Sequence, residues 1–117
     1  MILTVPELVA KAKANIKCVS AADTVKQLTD ESVVIDVREP SEHAQKSIER
    51  AINIPRGVLE MQIAKTCNSE NTAIYIHCAS GGRACLAAEQ LQRMGYSNVT
   101  AITCPADEVC NAFQSVS

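Results

Sequence analysis

The stretch that decides the fold is Thr72-Ala73-Ile74-Tyr75-Ile76-His77-Cys78-Ala79-Ser80-Gly81-Gly82-Arg83-Ala84. Its first six residues are typical of a buried strand, and the glycine pair marks a tight loop. A helix is predicted from Arg83 to Met94, because apolar residues recur on one of its faces and Gly95 can end it. A strand that leads through a short loop into a helix is the repeating unit of a parallel sheet.

Strands alternate with helices along the rest of the chain. The run Ser32–Val37 is nearly all β-branched, which suits a strand buried on both faces of a parallel sheet. The sequence therefore predicts an α/β fold, with a mostly parallel central sheet of about five strands flanked by helices on both faces. The other predicted strands are 16–19, 51–54 and 99–102, and the other predicted helices are 4–15, 20–30, 40–45, 58–65 and 105–113.

Length and composition fit one compact domain. With 117 residues, of which 47% are hydrophobic, the chain can bury roughly two thirds of the surface that its unfolded form exposes. We predict a single domain over residues 1–117. It consists of a helical N-terminal extension at 1–15, a core at 16–102 and a helical C-terminal segment at 103–117.

Charge and hydropathy limit the partners that can be expected. The net charge is only -2 and 21% of the residues are charged, which argues against both a nucleic-acid binder and a disordered chain. Glu7, Lys11 and Lys13 interrupt the first apolar stretch, so neither a secretory signal nor a membrane span is expected. We expect a cytoplasmic protein with no nucleic-acid or membrane partner.

The cysteines and histidines do not form a recognisable framework. The six cysteines contain no CxxC pair, and the two histidines lie far from each other in the chain. A core of this apolar content also does not require disulfides. We therefore expect free thiols, no metal site and no cofactor.

The loop after residues 72–77 carries the candidate chemistry. Cys78 lies between a strand and a helix N-terminus, where backbone N–H groups can converge on an anion. Gly81 and Gly82 can adopt positive φ, and Arg83 adds a full positive charge. Such surroundings favour the thiolate over the thiol, which predicts a nucleophilic Cys78. The alternative is a buried structural cysteine followed by an ordinary turn.

Three motifs resemble the rhodanese family over about residues 16–102. Cys78-Ala79-Ser80-Gly81-Gly82-Arg83 is similar to the family's active loop, Cys-x-x-Gly-x-Arg. Asp36-Val37-Arg38-Glu39 resembles its early strand-end motif, and Glu42 with Ala51-Ile52-Asn53-Ile54-Pro55 resembles the segment that follows. Two stretches depart from the pattern. Lys46–Ala51 replaces Gly-His-Ile-Pro-Gly-Ala, and Cys104–Asp107 replaces a Gly-Gly pair, so one side of the pocket is not defined.

The resemblance implies a sulfurtransferase that carries a sulfane sulfur as a persulfide on Cys78. The sulfur would come from a small-molecule donor such as thiosulfate and pass to a thiophilic acceptor, either cyanide or a thiol, including a protein thiol. Asp36, Arg38 and Glu42 would support the site, with Arg38 paired to Glu42 and Asp36 bracing the loop. The donor would be bound by Arg83 together with Ala79, Ser80, Gly81 and Gly82.

Two other functions fit the same residues. Cysteine-dependent phosphatases and arsenate reductases also have a cysteine, a glycine-rich loop and an arginine, but their loop is longer than the four residues between Cys78 and Arg83. The shorter loop favours a single sulfur atom over a phosphoryl group. A binding or regulatory module that keeps the fold without turnover is the third alternative.

Four further residues lie near these motifs in the chain. Cys104 could be a resolving thiol or a second sulfur carrier, but a packing role is favoured. His77 points to the opposite face from Cys78 and is expected to pack rather than act as a base. His43 is expected to make contacts near Arg38, and Arg56 either lines the pocket or is solvated.

Overall fold

The fold is a single parallel sheet covered by helices, seen in a computed structural model that describes residues 1–114. The described residues form five strands in the order β1-β5-β4-β2-β3, all parallel. This architecture confirms the predicted α/β class. The strands are β1 Lys17–Val19, β2 Val33–Asp36, β3 Ile52–Asn53, β4 Ile74–His77 and β5 Val99–Ile102.

The helices also follow the sequence prediction, with ends that shift by a few residues. The segment Arg56–Val58 forms a short 3-10 turn ahead of the fourth helix. Residues 103–105 precede the last helix, and the end of the predicted C-terminal segment, 115–117, lies outside the described residues. The helices are α1 Val5–Lys13, α2 Ala21–Gln27, α3 Pro40–Gln45, α4 Leu59–Thr66, α5 Gly82–Met94 and α6 Ala106–Gln114.

Both faces of the sheet are buried, which explains the continuous apolar strands. Successive strand residues point to opposite faces, so each strand contributes to two packed layers. The α5 layer contains Ile35, Ile76 and Ala101 of the sheet and is covered by α1, α4 and α5. The α6 layer contains Val34, Tyr75 and Ile102 and is covered by α2 and α6.

The helix α1 is capped at its N-terminus and packs against the core. The Thr4 hydroxyl accepts a hydrogen bond from the Glu7 backbone N–H at 3.3 Å, and the Glu7 carboxylate accepts one from the Thr4 N–H at 3.3 Å. This reciprocal arrangement satisfies two donors at the helix start. Ala12 of α1 is fully buried in the α5 layer, so α1 covers part of the same core.

No helix in residues 1–114 is long and apolar enough to cross a membrane.

The carboxyl ends of the strands place the candidate site. Asp36 and His77 end the neighbouring strands β2 and β4 and lie opposite each other in the sheet register. Cys78 follows directly on β4, and Thr103 follows on β5. Ligand sites of parallel α/β sheets lie beyond this edge, so the fold brings the motif residues to the expected place.

Replacing Ile76 with alanine tests the two-sided packing of the sheet. Ile76 is fully buried in the α5 layer, whereas Ile52 on edge strand β3 is 42% exposed. We expect Ile76→Ala to lower the free energy of unfolding by about 2–5 kcal/mol, and Ile52→Ala to lower it clearly less. Urea unfolding measures both. Equal losses would contradict the assignment of β4 to the centre of the sheet.

Candidate active site

Two backbone N–H groups converge on the sulfur of Cys78. The Gly81 amide donates to Cys78 Sγ at 3.0 Å, and the Ala84 amide donates at 3.2 Å. One amide comes from the loop and the other from the first turn of α5. An amide pair at a helix N-terminus stabilises negative charge, so the arrangement suits an anionic sulfur.

The geometry of the loop depends on glycine at position 81. Gly81 has φ +100°, and a Cβ placed there would lie 3.1 Å from the Thr103 carbonyl oxygen. Both the backbone conformation and the close approach therefore require glycine. Gly82, which was also expected to be able to adopt positive φ, does not do so. Gly82 is the first residue of α5, and Gly81 and Gly95 are the residues with positive φ in the described chain.

The segment after β5 forms one wall of the loop. The Ala106 N–H donates to the Ala79 carbonyl at 2.9 Å, and Thr103 packs against Gly81. Cys104 in this segment is directed elsewhere, because its sulfur accepts from the Ala21 N–H at 3.3 Å and packs in the α6 layer. Cys78 belongs to the α5 layer on the opposite face. The structure thus agrees with the packing role for Cys104 and leaves its resolving role without support.

Arg83 forms a bidentate ion pair with Glu42. Its Nη1 lies 2.8 Å from Glu42 Oε1, and its Nη2 lies 3.0 Å from Oε2. The predicted pair between Arg38 and Glu42 is therefore wrong. The hydrogen bonds from Arg83 are the main cause that lowers the pKa of Glu42 to about 2. The same hydrogen bonds to Glu42 are the main cause that raises the pKa of Arg83, and the negative charge of a Cys78 thiolate adds to this effect.

Arg38 pairs with Asp36, two residues earlier. Its Nη2 lies 2.8 Å from Asp36 Oδ2 and its Nε lies 2.9 Å from Oδ1, while Nη2 also donates to the Lys46 carbonyl at 2.6 Å. His43 Nδ1 lies 2.8 Å from the same Asp36 Oδ2. The expectation that Asp36 braces the Cys78 loop is wrong, because these partners take up its carboxylate. The expectation of contacts for His43 is confirmed.

Asp36 remains ionised although it is completely buried. Burial alone would raise the pKa of Asp36, but the hydrogen bonds from Arg38 and His43 outweigh it, and the pKa lies below its ordinary value of 3.8. A buried carboxylate that is paired in this way is stable only while its partners stay in place. The group therefore fixes α3, which carries Glu42, against the end of β2.

The role of Asn53 was not predicted from the sequence. Its side-chain amide donates to the Asp36 carbonyl at 3.0 Å and to the Arg38 carbonyl at 2.9 Å. It thereby fixes the backbone that carries both charged residues. Only the fold brings this asparagine next to that segment, which lies 15 or more residues earlier in the chain.

Arg56 lies apart from the Cys78 sulfur contacts. It pairs with Glu60 at 3.0 Å within one helical turn, and Glu60 also accepts from Gln90 at 3.2 Å. The hydrogen bond from Gln90 connects α5 to Glu60 of α4. Arg56 was predicted either to line the pocket or to be solvated, and the structure instead shows it in a partly buried ion pair.

His77 is a buried neutral residue. It is fully buried, and neither of its ring nitrogens has a hydrogen-bond partner among the described residues. Its Nε2 lies 3.9 Å from Asp36 Oδ2. Burial lowers the pKa of His77, which keeps the ring uncharged near neutral pH. This environment agrees with the packing role that the strand alternation predicted.

Access to the sulfur is narrow. Cys78 is 1% exposed, whereas the side chains of Arg83 and Glu42 are 35% and 36% exposed. The sulfur itself is therefore closed to solvent, whereas the ion pair is partly exposed. A separate cavity, lined by residues such as Leu28 and Phe113, includes neither Cys78 nor Arg83.

Comparisons with known proteins agree on one family. A family model described as the rhodanese-like domain matches residues 20–104. The thiosulfate sulfurtransferase PspE of Escherichia coli K12 is 35% identical over 65 residues, which cover 56% of this chain and 62% of that protein. The aligned part thus spans less than two thirds of that relative.

Solved structures extend the comparison to the fold. A structure described as a rhodanese with anions from E. coli is 32% identical, with a TM-score of 0.62, and covers 65% of this chain and 89% of that one. A Rhodopseudomonas palustris protein of unknown function, called a "possible tyrosine phosphatase", has a TM-score of 0.78 at 23% identity, over 99% of this chain and 92% of that one. At this low identity the second likeness shows the fold alone.

Substitution at Gly81 tests the geometry of the loop against a matched glycine. Gly95 also has positive φ, but a Cβ there would meet nothing within 4 Å. We expect Gly95→Ala to cost about 1–2 kcal/mol of unfolding free energy through backbone strain alone. Gly81→Ala should cost about 2–4 kcal/mol, because crowding against Thr103 adds to the same strain. Equal costs in urea unfolding would contradict the close approach of the loop to Thr103.

Proposed function

This chain belongs to the rhodanese family, and on that premise we propose that it is a sulfurtransferase whose Cys78 carries a sulfane sulfur as a persulfide. The observation that carries the proposal is the pair of N–H groups, from Gly81 and Ala84, directed at Cys78 Sγ. Charge-assisted hydrogen bonds of this kind stabilise a sulfur anion, both as the attacking thiolate and as the product of the second step. The name of the E. coli relative supports the same activity.

The first proposed step is attack on thiosulfate. The Cys78 thiolate attacks the outer sulfur of the donor, a new S–S bond forms to Cys78, and the S–S bond of thiosulfate breaks. Sulfite leaves with the electron pair of that bond. The enzyme then carries one extra sulfur with one negative charge, close to the amides that held the thiolate.

The second proposed step returns the cysteine to its starting form. A thiophilic acceptor such as cyanide attacks the outer sulfur of the persulfide, which gives thiocyanate and releases the Cys78 thiolate. A thiolate acceptor would take the sulfur as a new persulfide in the same way. The two steps need no cofactor, since the sulfur moves between nucleophiles.

Arg83 has to exchange partners when the donor binds. Its guanidinium is engaged by Glu42 at 2.8 and 3.0 Å, and its positive charge lies near the Cys78 sulfur. Two of the three oxygens on the tetrahedral sulfonate group of thiosulfate offer a two-point acceptor for the guanidinium, as a carboxylate does. We propose that the donor displaces or shares the Glu42 contact.

One observation favours a second function, that of a binding or regulatory module. The low exposure of Cys78 and the closed pair of Arg83 and Glu42 would also suit a domain that no longer turns over substrate. The two functions differ in one measurable property. A sulfurtransferase accepts a sulfur atom on Cys78, whereas a binding module does not.

Intact-mass analysis after thiosulfate treatment tests the proposed function. We expect the wild-type protein to gain the mass of one sulfur atom and to lose it again on addition of cyanide. Cys78→Ser should gain nothing, because the attacking sulfur is absent. Cys104→Ser serves as the matched control and should gain one sulfur atom like the wild type. If wild type gains no sulfur from several donors, the binding module becomes the better account.

Substitution of Glu42 tests the exchange of partners at Arg83. We expect Glu42→Gln to lower the KM for thiosulfate about three- to tenfold, equivalent to roughly 0.7–1.4 kcal/mol, because Arg83 no longer has to leave a carboxylate. Glutamine can still accept the hydrogen bond from the Glu39 N–H that starts α3. Steady-state kinetics with varied thiosulfate measure the effect.

Glu60→Gln is the matched control for that experiment. Glu60 also pairs with an arginine, and its side chain is 33% exposed, close to the 36% of Glu42. Its substitution should leave the KM within about twofold of wild type, since general charge effects at the surface are small. An unchanged or raised KM in Glu42→Gln would show that Arg83 does not bind the donor.

A further inference from the structure

Two thiols outside the proposed sulfur-transfer site face each other between β1 and α5. Cys18 is the middle residue of β1 and lies opposite Ala101 in the register, and Ala101 packs in the α5 layer. Its neighbour Val19 packs in the α6 layer, so Cys18 faces α5. Cys85, on the first turns of α5, is fully buried in the same layer.

The Cys18 and Cys85 side chains lie within interaction range of each other, since Cys18 contributes to the raised pKa of Cys85. Their surroundings differ strongly, because Cys18 is exposed and Cys85 is buried. Burial is the main cause that raises the pKa of Cys85 to about 11, and Cys18 adds to it. Cys85 therefore keeps its proton and is shielded from solvent, while Cys18 is open to reagents.

We propose that Cys18 and Cys85 form a reversible disulfide when hydrogen peroxide oxidises the exposed Cys18. In the first step the Cys18 sulfur attacks a peroxide oxygen, the O–O bond breaks, and a sulfenic acid and one water form. In the second step the Cys85 sulfur attacks the Cys18 sulfur, the S–O bond breaks, and the S–S bond forms. The proton of Cys85 leaves with the second water. Two thiols thus lose two electrons, which reduce one hydrogen peroxide to two waters.

The position of Cys85 gives this modification a structural consequence. Cys85 follows Ala84, whose N–H donates to Cys78 Sγ, and the Cys85 N–H itself donates to the Gly81 carbonyl at 3.0 Å. The disulfide would covalently tie this first turn of α5 to strand β1. The modification site is therefore distinct from the Cys78 loop but directly joined to it.

Cys67, Cys104 and Cys110 do not offer Cys18 an equivalent partner. Cys104 and Cys110 pack in the α6 layer, on the opposite face of the sheet. Cys67 is buried at the end of α4, and burial alone raises its pKa. Specific pairing with Cys85 is thus the expected outcome for a sulfenic acid on Cys18.

Peptide mapping without reduction tests the proposal. Trypsin releases Cys18 in the peptide 18–26 and Cys85 in the peptide 84–93, and each contains a single cysteine. After treatment of the folded protein with hydrogen peroxide, we expect these two peptides to be recovered mainly as a linked pair. Addition of dithiothreitol should return both peptides to their free thiol form.

Variants separate this disulfide from the chemistry of the loop. Cys78→Ser should form the linked pair as readily as wild type, so the test is independent of the proposed sulfurtransferase activity. Cys18→Ser, a change at an exposed position, should abolish the linked pair, and Cys104→Ser should retain it. The proposal is overturned if folded protein yields peptide 18–26 as sulfinic or sulfonic acid with Cys85 still free. It is also overturned if Cys18 links mainly to another cysteine.

Discussion

The structure of the site depends on two hydrogen bonds, from the N–H groups of Gly81 and Ala84 to the sulfur of Cys78. They require a central strand that ends at the sheet edge, a residue at 81 with positive φ, and a helix that begins directly afterwards. The hydrogen bond from the Ala106 N–H to the Ala79 carbonyl holds the loop in this conformation. The environment of the Cys78 sulfur is thereby built mainly from backbone groups, which most side-chain substitutions leave in place.

The charged side chains of the site form two separate groups, in addition to the backbone N–H groups of Gly81 and Ala84. One group consists of Asp36, Arg38 and His43, and it fixes α3 on the sheet. The free-energy cost of burying the Asp36 carboxylate is offset only while both partners are paired with it. Arg83 and Glu42 form a second, half-exposed pair that can open at a smaller cost. The first group is therefore scaffolding, and the second is the part of the site that exchanges partners with the donor in the proposed function.

The sequence predicted the fold and the loop because both depend on local patterns. Continuous apolar strands, helix caps and the glycine after Cys78 are readable within a few residues. The pairing of Arg38 was predicted wrongly, since Glu42 and Asp36 both lie near it in sequence and only the placement of α3 decides between them. The role of Asn53 and the contact between Cys18 and Cys85 depend on the strand order, which joins residues far apart in the chain. Long-range placement of this kind has no signature in a single sequence.

A crystal structure of the protein after reaction with thiosulfate tests the central claim most directly. The account predicts one additional sulfur atom bonded to Cys78 Sγ, with the Gly81 and Ala84 N–H groups still directed at the sulfur pair. It also predicts that the Arg83 guanidinium faces that pair. A structure in which the added sulfur lies on another cysteine, or in which those two N–H groups turn away from Cys78, would contradict the account.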